Sequence, residues 1–143
     1  MAIEEAKKAS LIGEVPIGAV LVKDNKIVSS AHNMPIKLND PSAHAEINVL
    51  RDAGKKIGNY RLNECSLYVT LEPCLMCFGA CIHARINNLI YASDDPKSGV
   101  ITSNLNLADE TFLNHKISIT KGVLSEESSQ LLKAFFKERR VKN

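Results

Sequence analysis

Apolar and polar positions recur with two different periods along the chain, and the changes of period mark its elements. Ile3, Ala6 and Ala9 lie at helical spacing, which predicts an opening helix over residues 2 to about 12. Ile17 to Lys23 is a run rich in branched residues, and Lys26 to Ala31 follows it. The intervening Asp24-Asn25 suits a hairpin turn. Asn33 to Ser42 contains Pro35, Pro41, Asn39 and Asp40 and predicts a loop. Ile47, Leu50 and Ala53 predict a helix from Ala43 to about Lys55, with Ser42 as its N-cap. Ser66 to Leu71 predicts a strand. Pro73 suits the first turn of the next helix, which runs to about Arg85. Asn88 to Ser93 predicts a further strand. Asp94 to Leu113 is polar and irregular, with a short helical piece near Ala108. Lys116 to Thr120 alternates as a strand does. Ser125 to about Arg140 predicts a closing helix with Ser125 as cap, Glu126 and Glu127 in its first turn and cations at its end. The order α-β-β-α-β-α-β-β-α predicts one α/β domain over residues 1–143, a mixed sheet of about five strands with helices on both faces.

Composition narrows the class. The 143 residues are 45% apolar and 24% charged, as in an ordinary globular domain. A net charge of +2 excludes a uniformly basic nucleic-acid coat. It does not exclude a local one: Lys133 to Asn143 holds five cations (Lys133, Lys137, Arg139, Arg140, Lys142) against Glu138, a net of +4. No Trp and 5% aromatics exclude a broad base-stacking platform, whereas a pocket for one base needs none. The run Val15 to Val22 contains Pro16 and is far too short to span a membrane. Met1 to Ser10 carries Glu4, Glu5, Lys7 and Lys8, unlike the basic-then-apolar order of a secretory signal, so a cytoplasmic protein is expected.

Four cysteines are too few for a disulfide scaffold, and two of them form C-x-x-C at Cys74 and Cys77. Three residues apart, they project from one face of a helical turn. A thiolate at a helix N-terminus is stabilised by the dipole. With His44 they make three ligands for a tetrahedral zinc and leave a fourth position for water. Glu46 lies two residues from His44, so both can share one site only where the metal sits at the helix end. A carboxylate there is a fourth ligand or a proton shuttle. Other readings fit the same residues. C-x-x-C alone also suits a redox pair. Cys81, at i+4 from Cys77, can close a structural zinc site, although a free Cys is more often a small core residue, as Cys65 reads.

The combination of His44-Ala45-Glu46 with Pro73-Cys74-x-x-Cys77 resembles the signature of the zinc-dependent nucleobase deaminases. The resemblance extends through EVPIGAVLV (Glu14 to Val22), AHN (Ala31 to Asn33), DPSAHAE (Asp40 to Glu46), NYRL (Asn59 to Leu62), LYVTLEPCLMC (Leu67 to Cys77), DDPKSG (Asp94 to Gly99) and NHK (Asn114 to Lys116). Together these segments are similar to the bacterial tRNA-specific adenosine deaminases from near residue 4 to about Arg140. The resemblance implies a three-layer cytidine-deaminase-like fold. It also implies hydrolysis of adenosine to inosine at the wobble position of a tRNA anticodon, usually of an arginine tRNA. It further implies one Zn2+ per subunit on His44, Cys74 and Cys77, and a homodimer with no membrane association. Glu46 then moves a proton from the activated water to N1 of adenine and helps protonate the departing ammonia. Asn33, Val15, Pro16 and Ala45 match the residues around the base. Asp95, Lys97, Arg139 and Arg140 match segments that meet the anticodon stem-loop. The signature alone also admits a free-base or nucleoside deaminase for guanine or cytosine, and a non-enzymatic zinc-stabilised RNA-binding module closed by Cys81. The chain departs from the family after its D-P-K-x-G loop, where Val100-Ile101-Thr102-Ser103-Asn104 replaces a stretch of small residues.

Overall fold

Apolar residues on both sides of one strand require cover on both sides, and β1 (Gly18–Lys23) has its first four residues buried. In the computed structural model, which describes residues 1–142, β1 is accordingly an inner strand. The sheet runs β2 (Lys26–His32), β1, β3 (Cys65–Leu71), β4 (Asn88–Ser93), β5 (Ser118–Lys121). β1 pairs antiparallel with β2 and β3, whereas β3, β4 and β5 run parallel. The hairpin turns on Asp24 and Asn25, both at positive φ (51° and 60°), the geometry that matches strand twist in a two-residue turn.

Helices cover the two faces. α1 (Ala2–Leu11) packs on β1, β2 and β3 and touches α5 (Ser125–Lys142), which packs on β4 and β3. Gly18 is required where α1 crosses β1, because a Cβ there would enter the backbone of Ala2 and Ala6. On the other face α3 (Ala45–Ile57) packs on β1 and β2 and meets α4 (Leu75–Ala84). The core between them contains Ala19, Leu21, Ala45, Val49, Leu67, Phe78, Ile82 and Leu89. Each large apolar side chain so buried contributes about 1.5–3 kcal/mol before entropy is counted. A short helix α2 (Pro35–Leu38) occupies the segment expected as loop.

The observed elements match the expected mixed sheet, and the differences lie at helix starts. Ser42 does not cap α3: its N–H and hydroxyl both bond Asp40 Oδ1 at 2.8 and 2.7 Å, and His44 is the N-cap. Pro73 does not enter α4, whose N-cap is Cys74. Ser125 is the first residue of α5, preceded by Leu124 at φ 58°. Val100 and Ile101, the bulky departure from the family pattern, are 6% and 1% exposed and belong to the core, which is why they are branched and apolar.

Candidate active site

Both shifted helix starts place a candidate metal-ligating side chain at an N-cap. His44 and Cys74 each hold extended backbone (φ −69°, ψ 156° and φ −80°, ψ 176°), which turns the side chain across the helix end rather than along it. Cys77 follows in the first turn of α4. The Sγ atoms of Cys77 and Cys74 lie 3.5 and 3.7 Å from His44 Nδ1, and among the described residues these three ligand atoms form a cluster within 4.8 Å. A tetrahedral zinc with ordinary Zn–N and Zn–S bonds sets N and S about 3.5 Å apart. The cluster therefore fits zinc, and two sulfurs with one imidazole match that metal's preferences. Cys81 and Cys65 are fully buried in the core, as read for small apolar residues.

Electrostatics follow from the same placement. Hydrogen bonding from Cys77, followed by His44 and the backbone N–H of Cys77, lowers the Cys74 thiol to about 4 despite burial. Cys77 is pushed up by its hydrogen bond to Cys74 and by burial, and the bond to Cys74 raises His44. Glu46, second in α3 and 4% exposed, is raised to about 7, first by desolvation and then by the Cys74 charge. Its own backbone N–H, His44 and the Cys77 thiol pull the other way. The His44–Cys74–Cys77 cluster and the Glu46 carboxylate thus share the end of α3, as the two-residue spacing required.

The surrounding residues fall in two groups. Asn33 is 5% exposed, and its Oδ1 accepts the first N–H of α3, from Ala45, at 2.8 Å. That capping bond leaves its Nδ2 as the group able to donate to a base. Ala45 is fully buried beside it. Val15 and Pro16 lie between α1 and β1, Val15 partly exposed and Pro16 buried. Asp95 is partly exposed, and its Oδ1 accepts the Lys97 N–H at 3.1 Å, so it shapes the turn that presents the exposed Lys97. Arg139 donates to Gly13 O at 2.7 Å and lies 4.9 Å over the Phe135 ring. It docks the end of α5 against the segment leading to Val15. Arg140, Lys133 and Lys137 are exposed. The Lys142 side chain and Asn143, the rest of the expected basic tail, lie outside the described residues.

Three buried carboxylates, Glu5 on α1, Glu14 and Glu72, were not among the expected site residues. Glu14 is 1% exposed and accepts the Ile36 N–H at 2.8 Å, fixing α2 against the start of β1. Glu72 is 2% exposed at the end of β3. Burial raises a carboxyl, but the Ser103 hydroxyl and the N–H groups of Thr102, Asp95 and Ser103 outweigh it and hold Glu72 below its ordinary value. The available signal was a charge at the edge of an apolar run, which alone does not separate a buried acid from a solvated one.

Residues 1–140 match the MafB19-like deaminase family. The tRNA-specific adenosine deaminase of Haemophilus influenzae is 49% identical over 140 residues, 97% of this chain and 81% of that protein. A structure from studies of A-to-I editing by tRNA:A34 deaminases at the wobble position superposes with a TM-score of 0.89 at 42% identity, covering 92% of this chain and 95% of that one. The guanine deaminase of Nitrosomonas europaea superposes at 0.78 but is 21% identical, covering 94% of this chain and 80% of that one, a likeness of fold.

Proposed function

The chain belongs to the tRNA-specific adenosine deaminases among the MafB19-like deaminases, and from that premise we propose that it hydrolyses adenosine to inosine at the anticodon wobble position, an arginine tRNA being the expected substrate. One observation carries the chemistry: Glu46, desolvated and raised to about 7, sits at the helix end that also carries the His44–Cys74–Cys77 cluster. We assign one zinc per subunit to His44 Nδ1 and the two Sγ atoms. Bound there, it would supply a Lewis acid able to lower the pKa of a water to about 7. Glu46 accepts a proton from the attacking water and delivers it to N1 of adenine, which makes C6 electrophilic toward that water's oxygen. Glu46 next carries the second proton to the exocyclic nitrogen, which leaves as ammonia. Water is consumed, ammonia is released and the base becomes hypoxanthine.

A duplex cannot present C6, so the target base must be turned out of its stack. Asn33, Val15, Pro16 and Ala45 are assigned to its pocket, with Asn33 Nδ2 donating to the base. Asp95, Lys97, Arg139 and Arg140 are assigned to the anticodon stem-loop, Arg139 through the Gly13–Pro16 segment that it holds. A homodimer in the cytoplasm completes the proposal, and among the described residues no helix is long and apolar enough to cross a membrane. Sedimentation should give about twice the 15.7 kDa chain mass.

The test is inosine formation in an arginine-tRNA anticodon stem-loop by zinc-loaded protein. Absence of product, with turnover of free guanine or cytosine instead, replaces this reading with a free-base deaminase.

A further inference from the structure

Between Ser93 and Leu107 the chain forms no helix or strand, yet it carries Asp95 and Lys97, two of the residues assigned to RNA. Among the described residues, the buried charge that anchors it is Glu72. One carboxylate oxygen accepts the N–H of Asp95 at 3.0 Å and the Ser103 hydroxyl. The other accepts three consecutive N–H groups, Ile101 at 2.9, Thr102 at 2.9 and Ser103 at 3.1 Å. Successive N–H groups aimed at one point form an anion-binding nest, and here the chain's own side chain fills it. The loop crosses the carboxylate so closely that a Cβ on Gly99 would overlap it. Val100 N–H bonds Pro73 O at 3.2 Å, and Asn104 Nδ2 ties Gly99 O at 2.9 Å and Pro96 O at 3.1 Å. The span from Pro96 to Ser98, left between these anchors, is exposed and contains Lys97.

Glu72 is two residues before the ligand Cys74, and Pro73 between them also holds the loop. The backbone that places a metal ligand therefore places the RNA-facing turn. We infer that Glu72 is a positioning residue that sets Lys97 and its turn at a fixed place relative to the reacting base, and thereby governs RNA binding rather than the chemical step. This inference rests on the proposed function for its RNA arm, while its loop arm can be read without any activity.

The experiment compares zinc-loaded wild type, Glu72→Gln, Ser103→Ala, Lys97→Ala and the Glu72→Gln/Lys97→Ala pair on the anticodon stem-loop. Losing the charge in the nest should raise KM about tenfold and leave kcat within about threefold. Zinc content should stay unchanged. Amides 101–103 should exchange about tenfold faster or more. Ser103→Ala should move KM and exchange the same way by about threefold, and it stands in for Glu72→Gln if that variant does not fold. Lys97→Ala should raise KM in the wild type and add little in the Glu72→Gln background, or in the Ser103→Ala background in the same circumstance. A fall in kcat at constant KM, loss of zinc, additive KM effects or unchanged exchange would each overturn the inference. If the wild type makes no inosine, the proposed function fails, and the exchange of amides 101–103 still decides the clamp.

Discussion

Glu46 and Glu72 have lost nearly the same share of solvent contact, 4% and 2% exposed, yet Glu46 lies deeper among protein atoms and their surroundings drive the two in opposite directions. Glu46 stands among ionisable groups that could hold a metal, with its own backbone N–H and the Cys77 thiol as donors, and burial raises it to about 7. Glu72 is enclosed by four backbone N–H groups and a hydroxyl, none able to give up its proton, and is held low. Burial alone therefore does not decide what an acid does. Donor count and donor chemistry separate a carboxylate that moves protons from one that orders a loop.

The comparison breaks first on activity. Glu46→Gln keeps the side-chain volume and cannot carry a proton, so turnover of the stem-loop should fall about 10²–10⁴-fold. Zinc content measured on the same sample should remain one per chain. Loss of the metal instead would make Glu46 a fourth ligand and end its pairing with Glu72 as mobile against fixed acid.

Much of this arrangement was legible in the sequence, and the illegible part has a physical reason. The β4 strand Asn88–Ser93, the Asp24-Asn25 turn and the clustering of His44 with Cys74 and Cys77 follow from local pattern and spacing. The N-caps did not. Propensity favours Ser42 and Pro73 at helix starts, but Ser42 is taken by Asp40, and the caps fall on His44 and Cys74. Glu72 was invisible because its partners are backbone groups 23 to 31 residues away, and backbone N–H groups have no letter in a sequence. Arg139 read as an RNA contact or a dipole partner. Its bond to Gly13 O, 126 residues distant, shows a docking role that no local period encodes.

Stability gives the second and third tests. Glu72→Gln removes a charge from four N–H groups, that of Ile101 buried and the other three part-buried, so urea unfolding should show a loss of about 2 kcal/mol. Because its partners are neutral, that loss should change little between low and high salt. Glu46→Gln should do the reverse. In chelated protein at pH 8, removing a poorly compensated buried charge should stabilise the fold by about 1–2 kcal/mol. Equal signs for the two variants would show that burial, not donor chemistry, sets both carboxylates.

A third carboxylate supplies the smallest and most pH-dependent effect. Glu5 is 6% exposed on α1, and its oxygens lie 2.8 Å from His32 Nδ1 and 2.8 Å from Lys8 Nζ. Burial raises it, but the hydrogen bonds to His32 and Lys8 and their charges outweigh that, so its pKa is lowered. A carboxyl that is more acidic in the folded chain than in the unfolded one stabilises the fold above the unfolded value, near 4.5, and loses that contribution as the pH falls through the folded value. Glu5→Gln should therefore lose on the order of 1 kcal/mol at pH 7 and progressively less as the pH is taken down below 4.5, read from urea midpoints of both proteins. Part of the loss at pH 7 should vanish in high salt, since the Lys8 side chain is 61% exposed and its pairing is screened. Salt sensitivity is what separates Glu5 from Glu72. A difference between wild type and Glu5→Gln that ignores both pH and salt would mean that the side chain matters for packing under α1 and not for its charge.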